Sequence, residues 1–190
     1  GKIQQQWFRK VSRQYEISHV MPELPDKKDL SIFKKLHLID AVTPPVGEYE
    51  GALLLGATTN AVRRRLAFLL KQKVKFKKLY VLGSHRILNP AHEGPDTFFK
   101  PISELPFKSD YKIPTTYENL PKTEAEMMRL VCEQVLLPKD LEIIFIDTSL
   151  NQNSDSKTLQ PNTTDTLRDF SNLNPIPGKY LLVSNQPFVA

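Results

Sequence analysis

Apolar and polar positions follow two different periods along this chain. Four short runs, Gly51–Gly56, Leu79–Gly83, Leu141–Ile146 and Lys179–Val183, are largely apolar at consecutive positions and break into small or polar residues at their carboxyl ends. Runs of this kind suit strands covered on both faces. Between them, apolar residues recur at helical spacing. Leu66, Leu69 and Leu70 mark one helix over Ala61–Gln72, and Met127, Leu130, Val131 and Val135 mark a second one opened by Thr123-Glu124-Ala125-Glu126. A third is opened by Asn162-Thr163-Thr164-Asp165 and runs through Leu173, since Asn, Thr and Asp satisfy the free N–H groups of a first turn. Strands that alternate with helices predict an α/β fold with a mainly parallel sheet in three layers. Such sheets bind ligands outside the carboxyl ends of their strands.

Upstream of the first run, Trp7, Phe8, Val11 and Tyr15 lie at helical spacing within Gln4–Tyr15. Asp29 or Ser31 can cap a second helix carrying Ile32, Phe33, Leu36 and Ile39. Two N-terminal helices over residues 1–45 are therefore expected to pack on an α/β domain over 46–190, with Pro44-Pro45 as the connector. The stretch Leu88–Tyr117 is long and proline-rich. Loops of that length are uncommon unless they carry function, so it is expected to be irregular and to cover part of the crevice. The polar stretch Leu150 to Gln160 is expected to loop out.

Bulk composition narrows the function only slightly. The 190 residues carry a net charge of +5, with 40% hydrophobic and 25% charged positions. Mild basicity favours anionic partners, but composition alone does not imply nucleic acid. Cys132, the single cysteine, excludes an internal disulfide and reads as a small core residue. No run approaches the roughly 20 apolar residues that cross a bilayer, and no signal peptide is legible, so a cytoplasmic protein is expected.

The candidate chemistry sits at strand ends and helix starts. Gly56, Thr58, Gly83, Ser84, His85, Asp147, Ser184 and Asn185 follow the strands, while Arg63, Glu124, Asn162, Thr163 and Asp165 lie in or beside first helical turns. Helix N-termini attract anions through unpaired N–H groups and the macrodipole. Cations there are unfavourable, so Arg63, behind Gly56-Ala57-Thr58, is expected to face the crevice and hold an anion, with Arg64 pointing elsewhere. A solvated face explains Arg63-Arg64-Arg65 equally well, and capping explains Asp165. Asp147 and Asp165 could also share a site. The chain has no Gly-x-Gly-x-x-Gly, no Gly-Lys-Ser/Thr and no Gly-x-Ser-x-Gly, so it lacks the dinucleotide, Walker and nucleophile-elbow fingerprints. His19, His37, His85 and His92 lack metal-ligand spacing. No cofactor or metal is named by these patterns.

The order of these pieces resembles the SanA/YdcF-like family, a bacterial domain of unknown function with a Rossmann-like fold. Its Arg-x-x-x-Ala is matched by Arg63 and Ala67, its Gly-containing turn by Gly83-Ser84, and its Ser/Thr-Glu-Ala helix start by Thr123-Glu124-Ala125. A Pro-bearing turn follows at Pro138, and the next strand ends in an acidic residue, Asp147. The later motifs are approximated by Asn162 to Thr166 and by Leu181-Leu182-Val183-Ser184-Asn185, whereas the family's closing Tyr-His is Pro187-Phe188 here. The resemblance covers about Gly51 to the end, and the family usually continues beyond this point.

Two readings of function follow. In the first, the protein binds a small anionic ligand, phosphorylated or nucleotide-like, at the carboxyl edge. Gly56, Thr58, Arg63, Gly83, Ser84, Asn162, Thr163, Ser184 and Asn185 would line that site, with Glu124, Asp147 or Asp165 as acid/base group if a reaction occurs. In the second, favoured by the missing Tyr-His, a catalytically degenerate family member meets a protein partner through its N-terminal helices and Pro-rich loop.

Overall fold

The computed structural model describes residues 31–32, 34–35, 42–116, 118–152 and 158–184. Ser31, Ile32, Lys34 and Lys35 are helical, where the second N-terminal helix is expected. The expected helix over Gln4–Tyr15, together with His19, His37, Asn185 and Pro187-Phe188, lies outside the described residues.

All four apolar runs are strands of one sheet. With β1 at Gly47–Glu48 and β3 at Val74–Lys75, the runs become β2 (Gly51–Leu55), β4 (Lys78–Ser84), β5 (Glu142–Thr148) and β8 (Tyr180–Val183). Their order across the sheet is β5-β4-β2-β8, and every neighbouring pair is parallel. β1 and β3 form a separate parallel pair, and the polar insertion closes on itself as an antiparallel pair, β6 (Asn151–Gln152) with β7 (Thr158–Leu159).

The sheet has helices on both faces. Ala52, Leu54, Leu79, Val81, Leu181 and Val183 share one cluster with α1 (Thr59–Lys71) and α3 (Glu124–Gln134), whose Val62, Leu66, Leu69, Met127, Met128 and Val131 are buried there. The alternate positions Leu53, Leu55, Tyr80, Leu82 and Ile146 meet Phe170 and Leu167 of α4 (Thr163–Asn172) on the other face. Successive strand residues point to opposite faces, so burial on both sides explains why these strands carry unbroken apolar runs. A three-layer arrangement results. Among the described residues, no helix is long and apolar enough to cross a membrane.

Two capping devices position the helices. Thr123 accepts a hydrogen bond from the Glu126 amide while the Glu126 carboxylate accepts one from the Thr123 amide. Asn162 and Asp165 do the same at the start of α4. α3 also approaches the sheet closely: a Cβ placed on Gly83 would lie 2.6 Å from the Ala125 Cα. Only glycine admits that approach.

The Pro-rich segment is irregular as expected, reaches the carboxyl edge at one turn, and packs into the core elsewhere. It is mostly irregular, with one short helix, α2 (Pro95–Phe98). Leu88, Phe98 and Leu105 are buried in the same apolar cluster as α1 and α3, each contributing about 1.5–3 kcal/mol by burial. From α2 onward the segment is anchored in the core by Phe98 and Leu105, while Lys100, Ser109, Asp110 and Lys112 stay at the surface. Only the turn around Asn89–Glu93 reaches the carboxyl edge, through the bonds described next.

Candidate functional site

The chain steps outward from β2 to β4 to β5, then returns to place β8 on the opposite side of β2. The connections therefore diverge between β2 and β8, and a crevice at the carboxyl ends opens at such a switch of direction. The residues flanking this switch point are Gly56-Ala57-Thr58, following β2, and Ser184, following β8. Leu54 pairs with Val183, so Ser184 stands level with Leu55.

The start of α1 lies at this switch point and is finished differently from the other two long helices. Thr58 occupies the cap position without a side-chain cap bond, and no acidic residue stands in the first turn. The Val62 amide is the first bonded within the helix, to the Thr58 carbonyl. The amides of Thr59, Asn60 and Ala61 precede it and have no partner inside the helix. Thr59 itself is 1% exposed, and its hydroxyl has no hydrogen-bond partner.

Beside this start, buried charges are knitted together. The Ser84 hydroxyl donates to Glu124 at 2.7 Å, and the Arg86 Nε donates to the other Glu124 oxygen at 3.3 Å. The two Nη groups of Arg86 grip Glu93 in a fork, at 2.9 and 3.0 Å. Arg86 also reaches the Ala57 carbonyl at 3.4 Å. Below the turn, Arg65 Nη1 donates to the carbonyls of both Leu55 and Gly56 at 2.7 Å. Burial raises the Glu124 carboxyl above its ordinary range, opposed by Arg86 and the Ser84 hydroxyl. Burial alone would lower Arg86, but its bonds to Glu93 and Glu124 outweigh that and hold it above the usual guanidinium value. Arg65 is lowered by burial, partly offset by Glu124. Two cations and two carboxylates thus meet at the carboxyl ends of β2 and β4. Arg86 and Glu93 are absent from the sequence-based candidates. An arginine just beyond a strand end was legible, but its partner depended on where the long loop turns back.

The structure brings some expected residues together and spends others elsewhere. Gly56, Thr58, Ser84, Glu124 and Ser184 share the carboxyl edge. Arg63 does not face the crevice. It is fully buried, donating to the Phe98 carbonyl at 2.7 Å and to Gln134 Oε1 at 2.6 Å, with its guanidinium 5.1 Å from the Phe107 ring centre. Its Nε and Nη1 have no partner, and burial lowers its pKa to about 10. Gly83 is filled by α3 rather than by a ligand. Asp147 pairs with Arg129 of α3 at 2.8 Å, whereas Asp165 caps α4 and meets Arg168 at 3.0 Å. The two carboxylates therefore serve helices on opposite faces rather than one shared site. Asn162 is consumed as the α4 cap and Thr163 is the first residue of that helix. His85 is exposed, and its amide donates to the Thr148 carbonyl.

Among the described residues, no three His, Cys, Asp or Glu side chains converge as a metal-binding group. Cys132 is buried as expected, with its thiol pushed up to about 12, chiefly by burial. No family model, curated protein or solved structure matches the chain.

Proposed function

We propose that the protein binds a small anionic ligand, phosphorylated or nucleotide-like, between the Gly56–Thr58 turn and Ser184. The observation that supports this most directly is the start of α1. Three amides without intrahelical partners, a cap residue, Thr58, that makes no cap bond and a buried, unpartnered Thr59 hydroxyl coincide at the switch of strand direction. The amide groups and the Thr58 hydroxyl would hold the anion, with Ser184 closing the opposite wall. Glu124, whose carboxyl borders Gly56 and is raised by burial, would be the acid/base group of any reaction. The Rossmann-like, SanA/YdcF-like assignment belongs to the same reading, supported by the parallel order and by Thr123-Glu124-Ala125 at a helix start.

Thr58→Asp separates ligand binding from folding. An aspartate caps α1 and complements its dipole, which stabilises a helix by about 0.5–1 kcal/mol. It also places a fixed negative charge where the ligand would bind. Calorimetric titration with inorganic phosphate, AMP and a sugar phosphate should show at least one binding the wild type and losing roughly tenfold or more in the variant, with the melting temperature unchanged or raised. Equal affinities, or no binding by the wild type, would sink the reading. The interaction-module alternative is favoured by one observation: Arg63, Asp147 and Asp165 are all absorbed in structural bonds.

A further inference from the structure

At the opposite pole of the sheet, the chain from Lys71 to Lys78 alternates between exposed and half-buried residues. Lys71, Lys73, Lys75 and Lys77 are exposed, whereas Gln72, Val74, Phe76 and Lys78 are half-buried. Val74 and Phe76 pack against the apolar cluster beneath α1 and α3. Lys71 ends α1 and only Val74–Lys75 of this connection is strand, yet its half-buried residues anchor it in the core and its alternate residues present ammonium groups to the outside. Lys71, Lys73, Lys75 and Lys77 fall within one short connection, so the exposed charges are close together and of one sign.

The row lies at the amino ends of the strands. Lys78 begins β4, and the Lys77 carbonyl accepts from the amide of Glu142, the first residue of β5. Lys139 and Lys179 are exposed just before β5 and β8. Carboxylates are present but fewer. Glu48 pairs with Lys75 at 3.5 Å with both side chains more than four-fifths exposed, and Glu142 pairs with Lys78 at 3.5 Å. Glu104 lies within electrostatic reach of Lys71 and Arg64, and Glu50 and Asp140 stand at the same pole. Exposed pairs of this kind bind weakly, and the pole keeps an excess of positive charge.

We propose that this lysine row docks the protein on an anionic lipid bilayer. The chemistry of the row favours a lipid surface over other anions. Lysines act as compact point charges, suited to a plane of headgroups. Val46 is 81% exposed and immediately precedes β1, whose Gly47 pairs with Val74. It stands beside the row as an apolar contact for the interface. Docking by this pole leaves the carboxyl edge facing away from the bilayer.

Co-sedimentation of the full chain with vesicles tests the proposal, comparing phosphatidylcholine alone with a mixture containing phosphatidylglycerol. The wild type should bind only the anionic vesicles and be released by high salt, because screening shortens the reach of charges to about 3 Å at roughly 1 M. Replacing Lys73, Lys75 and Lys77 together by Gln should weaken binding on the order of a hundredfold, from roughly fivefold per lysine lost near the surface. Replacing the exposed Lys100, Lys112 and Lys122 by Gln removes the same net charge elsewhere and should change binding less than about threefold. Unchanged thermal unfolding of both variants confirms that each is folded. Equal binding to both vesicle types, or equal losses in the two variants, overturns the proposal. Retention on single-stranded nucleic acid or an acidic polypeptide that depends on the row, without vesicle binding, overturns it too and assigns the row to that partner.

Discussion

A Cβ built on Gly56 would lie 2.5 Å from the Glu124 Cδ. Backbone from the end of β2 and a carboxyl group from the start of α3 are thus in direct contact. The carboxyl cannot easily retreat, because Ser84 and Arg86 hold its two oxygens separately.

Gly56→Ala should therefore destabilise the protein by about 1–3 kcal/mol, the usual range for overfilling a packed site. Paired with Glu124→Ala, the double variant should lose clearly less than the sum of the two single losses, since residues in contact are not additive. Urea denaturation of all four proteins reads the coupling. Simple additivity would show that the contact carries no energy.

Arg63→Ala should cost about 1–3 kcal/mol, because it leaves buried neutral acceptors without a donor. The Phe98 carbonyl and Gln134 would lose their donor, although Gln134 Nε2 would still reach Phe98 and the Tyr111 hydroxyl. Hydrogen exchange should rise around α2. Arg64→Ala, at an exposed position, should change stability by less than about 0.5 kcal/mol. Similar losses for the two would contradict the buried network.

The raised Glu124 carboxyl predicts a pH dependence with a definite sign. The folded protein holds this proton more tightly than the unfolded chain does. Its contribution to stability is thus greatest below the ordinary carboxylate range and is lost as pH rises through the folded value. The stability difference between wild type and Glu124→Gln should accordingly fall as pH rises above 4.5, the reference value for a glutamate. A difference that grows with pH would mean that Arg86 and Ser84 overcome burial.

Helix starts should respond unequally. Asn162→Ala removes the acceptor used by the Thr164 and Asp165 amides and should cost about 1 kcal/mol. Thr58→Ala removes a side chain that makes no cap bond, so thermal unfolding should barely move. A comparable loss at Thr58 would show that its hydroxyl caps α1 after all.

The Cys132 thiol should be silent towards iodoacetamide at neutral pH in the folded state, because the thiolate is the reactive form. Alkylation should proceed only as fast as the protein opens. Rapid labelling of the native protein would place the thiol at the surface.

The strands were legible because both faces of β2 and β4 are buried, which leaves an unbroken apolar signature that no loop imitates. The α4 cap was legible because Asn162 and Asp165 stand three residues apart, and that local spacing decides the bond. Arg63 was misleading for a physical reason. Its position in a first turn suggested an anion, but its partners come from α2 and α3, elements brought near it only by tertiary folding. The pairing of Arg86 with Glu93 was hidden in the same way. Leu88, Phe98 and Leu105 are spaced without helical or strand period, so their burial in the core left no pattern to read.

The pairing of β8 with β2 has a kinetic consequence. Residue 51 meets residue 180 in the register, whereas β2 and β4 are joined across α1, and β4 and β5 across the Pro-rich segment and α3. Contacts between distant segments form late, because loop closure must be met before they are rewarded. The seam between β2 and β8 is thus the last part of the sheet to close, and both walls of the crevice appear only then. Until that moment β2 is an open edge carrying Ala52, Leu53 and Leu54, a template on which another chain could pair. Ligand-binding competence and protection from aggregation should therefore arrive in the same folding step.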